Sequence, residues 1–198
     1  MEVQINFSEK YASKNPISQK LISGFKKSLA TLLTDITFNE LLDVGCGEGV
    51  MLYNMQTILK KKICNAIDLE EKNINDAKIN FPNCNYKVNS IYHIDYPENS
   101  MELVTCLEVL EHLDNPELGL KELHRVTQKH AILSVPREPI WRLMNMARFK
   151  YWSGLGNTPD HLNHWSTKSF IKFISPYFKV EKVLQPLPWT MVLCTKKH

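Results

Sequence analysis

Two patterns of hydrophobic positions alternate along the chain. Short apolar runs predict buried strands, and apolar residues repeated every three or four positions predict amphipathic helices. The predicted strands lie at 40–45, 62–68, 85–89, 102–107 and 131–135. The predicted helices lie at 8–35 (one or two helices), 50–59, 70–80 and 116–126. Strands that alternate with helices imply crossover connections, and therefore a mostly parallel sheet with helices on both faces.

The C-terminal part of the chain departs from this alternation. After a predicted helix at 167–174, two apolar strands at 178–183 and 190–195 are joined by a short segment. That segment is too short for a crossover helix, so the two strands form an antiparallel hairpin. The sequence therefore predicts a doubly wound α/β fold, with a mostly parallel seven-stranded sheet that ends in an antiparallel hairpin.

The composition of the chain is typical of one globular domain. Its 198 residues, 43% of them hydrophobic, and the lack of a linker-like stretch predict a single domain over 1–198. No apolar run approaches the ~20 residues that cross a bilayer, and the N-terminus lacks the apolar core of a signal peptide. We therefore expect a cytoplasmic protein without membrane insertion. The net charge of +3 is too balanced to indicate a nucleic-acid partner.

A G-x-G-x-G sequence at 45–49 follows the first predicted strand and precedes a helix. Glycines let the backbone approach a ligand closely, and the N–H groups at a helix N-terminus favour an anionic group such as a carboxylate. Asp68 ends the next predicted strand, where an acid accepts hydrogen bonds from both hydroxyls of a ribose. Nicotinamide binding requires G-x-G-x-x-G, but position 50 is Val, and no P-loop pattern is present.

On these residues the chain resembles the class I S-adenosylmethionine-dependent methyltransferases, from about residue 40 to the C-terminus. LLDVGCGEG is similar to their first motif, NAIDLEEKNINDAK to their second, and YPENSMELVTCLEVLEHL to the region around their fourth strand. The resemblance implies a Rossmann-like methyltransferase fold with S-adenosylmethionine as cofactor. It also implies that Gly45 and Gly47 cradle the methionine part of the cofactor, that Asp43 orients it and that Asp68 holds the ribose. The cofactor-binding residues so implied are Asp43, Gly45, Cys46, Gly47, Asp68, Leu69, Asn89, Ser90, Ile91 and Leu107.

The third predicted strand is followed by Asn89-Ser90-Ile91, where the family often has an acid that contacts adenine. By the resemblance, Asn89 or Ser90 forms the hydrogen bond to adenine and Ile91 packs on the ring.

An E-x-x-E-H segment, formed by Glu108, Glu111 and His112, follows the fourth predicted strand. This is the carboxyl edge of the sheet, where open α/β folds bind ligands. The spacing predicts that the three side chains share one face of a first helical turn. Carboxylates with an imidazole suit a divalent ion such as Mg²⁺, and an imidazole is also suited to act as a general base. His164 is the preferred further metal ligand, and His161 is the second candidate.

This segment resembles two metal-dependent branches of the methyltransferases. One comprises the small-RNA 3′-terminal 2′-O-methyltransferases, and the other comprises the O-methyltransferases of ubiquinone biosynthesis. The resemblance implies Glu108, Glu111, His112 and His164 as metal ligands, with Glu111 and His112 as catalytic residues. Similar segments also occur in methyltransferases that are not known to need a metal, so both interpretations stay open.

A segment rich in aromatic residues, Met and Arg, at 137–165, predicts a lid over the substrate. Its residues Arg137, Arg142 and Arg148 suit a carboxylate or phosphate on that substrate. The sequence therefore favours an S-adenosylmethionine-dependent O-methyltransferase that acts on a small molecule. One alternative is an RNA 2′-O-methyltransferase, which the balanced charge disfavours. Another is a non-catalytic S-adenosylmethionine-binding partner protein, in which we would expect a degraded cofactor loop or no acceptor cluster.

Overall fold

The computed structural model describes residues 15–60, 62–147, 151 and 154–197. Its strands are β1 (Glu40–Val44), β2 (Ile63–Asp68), β3 (Asn85–Val88), β4 (Met101–Leu107), β5 (Thr127–Pro136), β6 (Phe178–Leu184) and β7 (Trp189–Lys196). Its α-helices are α1 (Pro16–Thr34), α2 (Val50–Leu59), α3 (Glu71–Asn80), α4 (Pro116–Val126), α5 (Ile140–Ala147) and α6 (Thr167–Ile174). A short 3-10 turn, Leu110–His112, lies between β4 and α4. No helix in these ranges is both long and apolar enough to span a membrane.

The seven strands form one sheet in the order β3-β2-β1-β4-β5-β7-β6. Strands β1 to β5 pair in parallel, whereas β7 runs antiparallel to both β5 and β6. The predicted fold class, including the C-terminal hairpin, is therefore confirmed. Because β1 to β4 are parallel and adjacent, the segments that follow them leave the sheet at the same edge.

Apolar side chains cover both faces of the sheet. Phe25 of α1 and Leu52 of α2 belong to the core on one face, and Leu120 of α4 and Phe170 of α6 belong to the core on the other. Burying such a side chain contributes roughly 1.5–3 kcal/mol of hydrophobic free energy. The two layers of helices thus fix the sheet from both sides, as a doubly wound fold requires.

The ends of some elements differ from the prediction. Helix α1 begins at Pro16, where the side chain of Asn15 caps it by accepting a hydrogen bond from the N–H of Ile17 at 2.9 Å. The predicted residues 8–14 lie outside the described residues. Strand β5 begins at Thr127, before its apolar run, because its polar start still pairs with β4.

The predicted helical turn at Glu108 is wrong. Glu108 has a left-handed φ of 61°, and its N–H donates to the carbonyl oxygen of Ser134 at 3.2 Å. The turn that follows starts only at Leu110 and has 3-10 geometry. Glu108 therefore does not share a helical face with Glu111 and His112.

Candidate active site

A cleft of about 350 Å³ opens at the carboxyl edge of the sheet, across the ends of β1, β2, β3 and β4. The lining includes every residue that the resemblance implied for the cofactor: Asp43, Gly45, Cys46, Gly47, Asp68, Leu69, Asn89, Ser90, Ile91 and Leu107. Glu108 and His112 also line it. The cleft thus brings most of the predicted site residues together, although their roles in binding stay predictions.

The glycine loop folds back over the end of β2. The N–H groups of Gly45 and Cys46 both donate to the carbonyl oxygen of Ile67, at 2.8 and 3.0 Å. Gly45 has a φ of 74°, and a methyl group on its Cα would overlap Cγ2 of Val109. A side chain at position 45 would therefore be strained and would also push on the segment after β4.

The carboxylate of Asp68 is held by three donors at the cleft. Its Oδ2 accepts from the N–H of Gly47 at 2.8 Å. Its Oδ1 accepts from the N–H of Glu70 and from Nδ2 of Asn73, both at 3.0 Å. Asn73 also lines the cleft and was not predicted. Its sequence signal was its place in the first turn of the helix that follows the acid.

Asp43 is buried under the glycine loop, and only 3% of its surface is exposed. The hydroxyl of Thr105 donates to its Oδ1 at 2.6 Å. Burial raises the pKa of Asp43 to about 6; the hydrogen bond from Thr105 opposes this shift, and the charge of Asp68 adds to it. A cationic group bound in the cleft would favour the ionised carboxylate.

The segment after β3 forms one side of the cleft. Residues 89–92 line it, and Tyr92 among them was not predicted. The N–H of Asn89 donates to the carbonyl oxygen of Asp68 at 2.9 Å, which ties this segment to the end of β2. In the strand order, this segment lies on one side of Asp68 and the glycine loop lies on the other. A nucleoside whose ribose contacts Asp68 can therefore extend its base toward residues 89–92.

Glu111, His112 and His161 form a cluster in which the potential ligand atoms all lie within 4.8 Å of one another. His112 lines the cleft, whereas Glu111 and His161 are buried beside it. Nδ1 of His112 lies 3.0 Å from the carbonyl oxygen of Asp160. Because a carbonyl oxygen only accepts, Nδ1 carries the hydrogen, and in the neutral ring Nε2 is the acceptor. Nε2 lies 3.8 Å from Oε1 of Glu111.

His161 reaches this cluster because its segment docks on the 3-10 turn. The N–H groups of Leu162 and Asn163 donate to the carbonyl oxygen of Glu111, at 2.8 and 3.0 Å. The side chain of Asn163 donates to the carbonyl oxygen of Leu113 at 2.6 Å. The ring of His161 then packs edge-on against His112, with ring centroids 5.0 Å apart.

The other two predicted metal ligands lie elsewhere. Glu108 accepts a hydrogen bond from the hydroxyl of Ser134 at 2.9 Å, and His164 Nδ1 lies 3.9 Å from Oε1 of Glu138. Burial and the nearby Arg142 lower the pKa of His164, against the effect of Glu138. Within the part of the chain that the structure describes, the cluster contains His161, the second candidate, in place of the preferred His164.

The arginines of the predicted lid have partners within the chain. Arg137 Nη1 donates to Oε1 of Gln185 at 2.5 Å, and Arg142 Nε lies 3.5 Å from Oε1 of Glu138. Arg148 lies outside the described residues. Their pairing with a substrate anion stays a prediction.

Comparisons with known proteins find methyltransferases. Residues 42–135 match the family model described as a methyltransferase domain. An uncharacterised methyltransferase of Schizosaccharomyces pombe is 29% identical in an alignment of length 103 that covers 46% of this chain and 36% of that protein. A ubiquinone biosynthesis O-methyltransferase of Rickettsia bellii is 31% identical in an alignment of length 170 that covers 82% of this chain and 65% of that protein. The chain thus spans between about a third and two thirds of the length of these relatives.

Solved structures share the fold. Magnesium protoporphyrin IX methyltransferase of Synechocystis PCC 6803, with SAH bound, superposes with a TM-score of 0.71 at 14% identity, covering 96% of this chain and 93% of that chain. A SAM-dependent methyltransferase of Aquifex aeolicus gives a TM-score of 0.71 at 18% identity, with coverages of 96% and 98%. At these identities the likeness shows the fold. Together with the match of residues 42–135 to the methyltransferase domain model, it supports a Rossmann-like methyltransferase fold.

Proposed function

We propose that this chain is an S-adenosylmethionine-dependent methyltransferase that methylates a hydroxyl oxygen of a small molecule. The observation that carries the proposal is one continuous cleft, in which the glycine loop and Asp68 lie beside His112. A cofactor site and a candidate base therefore face the same space. The O-methyltransferase activity named for the Rickettsia bellii relative supports oxygen as the acceptor.

In this proposal, each part of the cofactor has a counterpart in the cleft. The hydroxyls of the ribose donate to the carboxylate of Asp68, and the base lies against residues 89–92. The N-terminal turn of α2, whose residues Val50 and Met51 line the cleft, favours the methionine carboxylate. The buried carboxylate of Asp43 favours the positive charge of the methionine part, because that charge stabilises its ionised form.

The chemical step needs an acceptor oxygen about 3 Å from the methyl carbon and in line with the carbon–sulfur bond. Nε2 of His112 takes the proton of the acceptor hydroxyl. The oxygen then forms its bond to the methyl carbon while the carbon–sulfur bond breaks, and the sulfur keeps the electron pair. The products are the methyl ether and S-adenosylhomocysteine (SAH).

The donor set of Glu111, His112 and His161 also fits a divalent ion, and we propose it as the metal site of this chain. One carboxylate and two imidazoles are ligands that such ions accept, and their donor atoms are already close together. A bound ion would lower the pKa of a hydroxyl that coordinates it. A ring nitrogen that binds a metal is no longer a base, so the metal content of the active protein decides between these two roles of His112.

The cofactor part of the proposal is tested by calorimetry with S-adenosylmethionine and SAH. We expect the wild-type protein to bind both ligands and Asp68→Ala to weaken binding by about 100-fold, because each hydrogen bond to a charged group contributes roughly 1.5–3 kcal/mol. Asp35→Ala is the matched control, since Asp35 is exposed and lies outside the cleft. Absence of binding by the wild-type protein would contradict the proposal.

The acceptor part is tested with methyl-labelled cofactor. We expect label to enter hydroxylated small molecules, and a chelator to abolish transfer if the metal is required. Label that enters only RNA would replace the small-molecule acceptor with the RNA alternative. Cofactor binding without transfer to either class would favour the non-catalytic partner protein.

A further inference from the structure

Residues 89–96, here called the adenine-side loop, are held at their base by side chains of helix α4. Nη1 of Arg125 donates to the carbonyl oxygen of Tyr96 at 2.8 Å, and Nη2 donates to that of Ile94 at 2.7 Å. Oε2 of Glu122 accepts from the N–H of Ile94 at 2.8 Å. Both polar backbone groups of the buried Ile94 are therefore satisfied by this one helix.

Glu122 and Arg125 also pair with each other in a two-pronged arrangement. Nε of Arg125 lies 2.7 Å from Oε1 of Glu122, and Nη2 lies 2.9 Å from Oε2. Their side chains are 19% and 33% exposed, so water screens this pair less than a fully exposed one. Charge-assisted, bidentate pairs fix direction as well as distance. The two side chains thus hold each other in place while they form hydrogen bonds to the backbone of the loop.

The same face of α4 also contacts the part of the adenine-side loop that lines the cleft. The backbone N–H of Asn115, the capping residue of α4, donates to the hydroxyl of Tyr92 at 3.1 Å. A methyl group on Gly119 would lie 3.4 Å from Cδ1 of Ile91, so this side chain passes close to the helix. Asn115, Gly119, Glu122 and Arg125 follow helical spacing, which places their contacts on one side of α4.

We propose that Glu122 and Arg125 are positioning residues for the adenine end of the cofactor. Neither lines the cleft. They act through the adenine-side loop, by fixing the place of Ser90, Ile91 and Tyr92 relative to Asp68. The inference rests on the proposed function, since it takes the ligand at this loop to be the adenine of S-adenosylmethionine.

The test compares SAH with its analogue S-inosylhomocysteine, in which an oxygen replaces the 6-amino group of adenine. Arg125→Lys keeps the charge but loses the planar fork. We expect it to weaken SAH binding about tenfold, the size of one lost charge-assisted hydrogen bond, and to narrow the preference for SAH over the analogue. We expect kcat at saturating cofactor to change less than twofold, because the acceptor end is untouched.

Lys121→Met is the matched control for this substitution. Lys121 lies on the same helix and pairs with Glu117 at 3.2 Å, where both side chains are exposed. We expect it to leave both the affinity for SAH and the preference over the analogue unchanged.

Glu122→Gln is the second variant, because it keeps the shape of the side chain and an acceptor for the N–H of Ile94. We expect the same narrowing of preference, with a smaller loss of affinity. If both variants bind SAH and the analogue as the wild type does, while their melting temperatures fall, the two residues only stabilise the fold and the inference is wrong. If the wild-type protein binds neither ligand, the proposed function itself fails.

Discussion

At one side of the cleft, Gly47 and Asp68 form a hydrogen bond although they are 21 residues apart in the chain. They meet because the neighbouring strands β1 and β2 end side by side. At the other side, His112 and Asp160 meet across 48 residues, because a separate segment docks on a turn. The first contact is a consequence of parallel pairing between β1 and β2. The second depends on how residues 161–163 grip the 3-10 turn. The proposed cofactor end thus depends on the pairing of strands in the sheet, whereas the proposed acceptor end depends on a segment that packs against the sheet edge.

His112→Ala is expected to give the largest difference between the two ends of the cleft, because it should lower turnover and leave cofactor binding nearly unchanged. Loss of the proposed base should lower kcat by about 10²–10⁴-fold. Binding of SAH, measured by calorimetry, should change less than about threefold, since the glycine loop and Asp68 stay in place. Single-turnover methyl transfer measures the chemical step directly.

His164→Ala is the control for that substitution, because His164 lies outside the cluster, with its Nδ1 3.9 Å from Oε1 of Glu138. We expect near wild-type turnover. If His164→Ala abolishes transfer while His112→Ala does not, the assignment of the acceptor cluster is wrong.

Gly45→Ala is expected to lower both cofactor affinity and turnover, by less than the loss of turnover expected for His112→Ala. The new methyl group needs a left-handed backbone and overlaps Val109, which follows β4. Strain of about 1–2 kcal/mol from the backbone and about 1–3 kcal/mol from overpacking should lower the free energy of unfolding. Cofactor affinity and turnover should fall together, as chemical denaturation, calorimetry and methyl-transfer assays would show.

Gly24→Ala provides the matched control on helix α1. Nothing lies within 4 Å of the place that its methyl group would take. Alanine in a helix interior should therefore raise the free energy of unfolding by about 0.5–1 kcal/mol. If Gly45→Ala also raises the free energy of unfolding and leaves cofactor affinity and turnover unchanged, the contact between Gly45 and Val109 does not couple the two ends of the cleft.

The smallest expected effect is a change of cofactor affinity with pH, caused by the ionisation of Asp43. Its pKa is raised to about 6 in the folded protein, so its protonated form stabilises the fold below about pH 4, and this contribution is lost as the pH rises through 6. Cofactor binding should follow the opposite direction and strengthen by about threefold to tenfold between pH 5 and 7, because the cationic cofactor prefers the ionised carboxylate.

Calorimetry in buffers of different ionisation enthalpy measures the proton released on binding near pH 6. The variant Asp43→Asn should release none and should show a flat pH profile. An unchanged proton release in that variant would assign the titration to another group.

The same contrast explains how much could be predicted from the sequence. The position of the proposed cofactor residues at the sheet edge was predictable, because a strand that ends in glycines or in an acid determines its own place there. Asp68 and Gly47 needed only that local rule. Asn73 was missed because its role depends on the rotamer that reaches back to Asp68.

The acceptor end was predictable only in part. The spacing correctly predicted that Glu111 and His112 share a turn, but the left-handed backbone of Glu108 breaks the helical face predicted for all three residues. The choice of His161 over His164 depends on the register in which Leu162 and Asn163 bind Glu111. That register comes from long-range packing, for which a single sequence has no local pattern.

The docking of residues 161–163 on the turn has a consequence for which positions of this segment tolerate substitution. Two of its hydrogen bonds come from backbone N–H groups, which every residue except proline supplies. The side chain of Leu162 is 54% exposed while its N–H makes one of these bonds. Position 162 can therefore accept any side chain except that of proline without loss of this hydrogen bond.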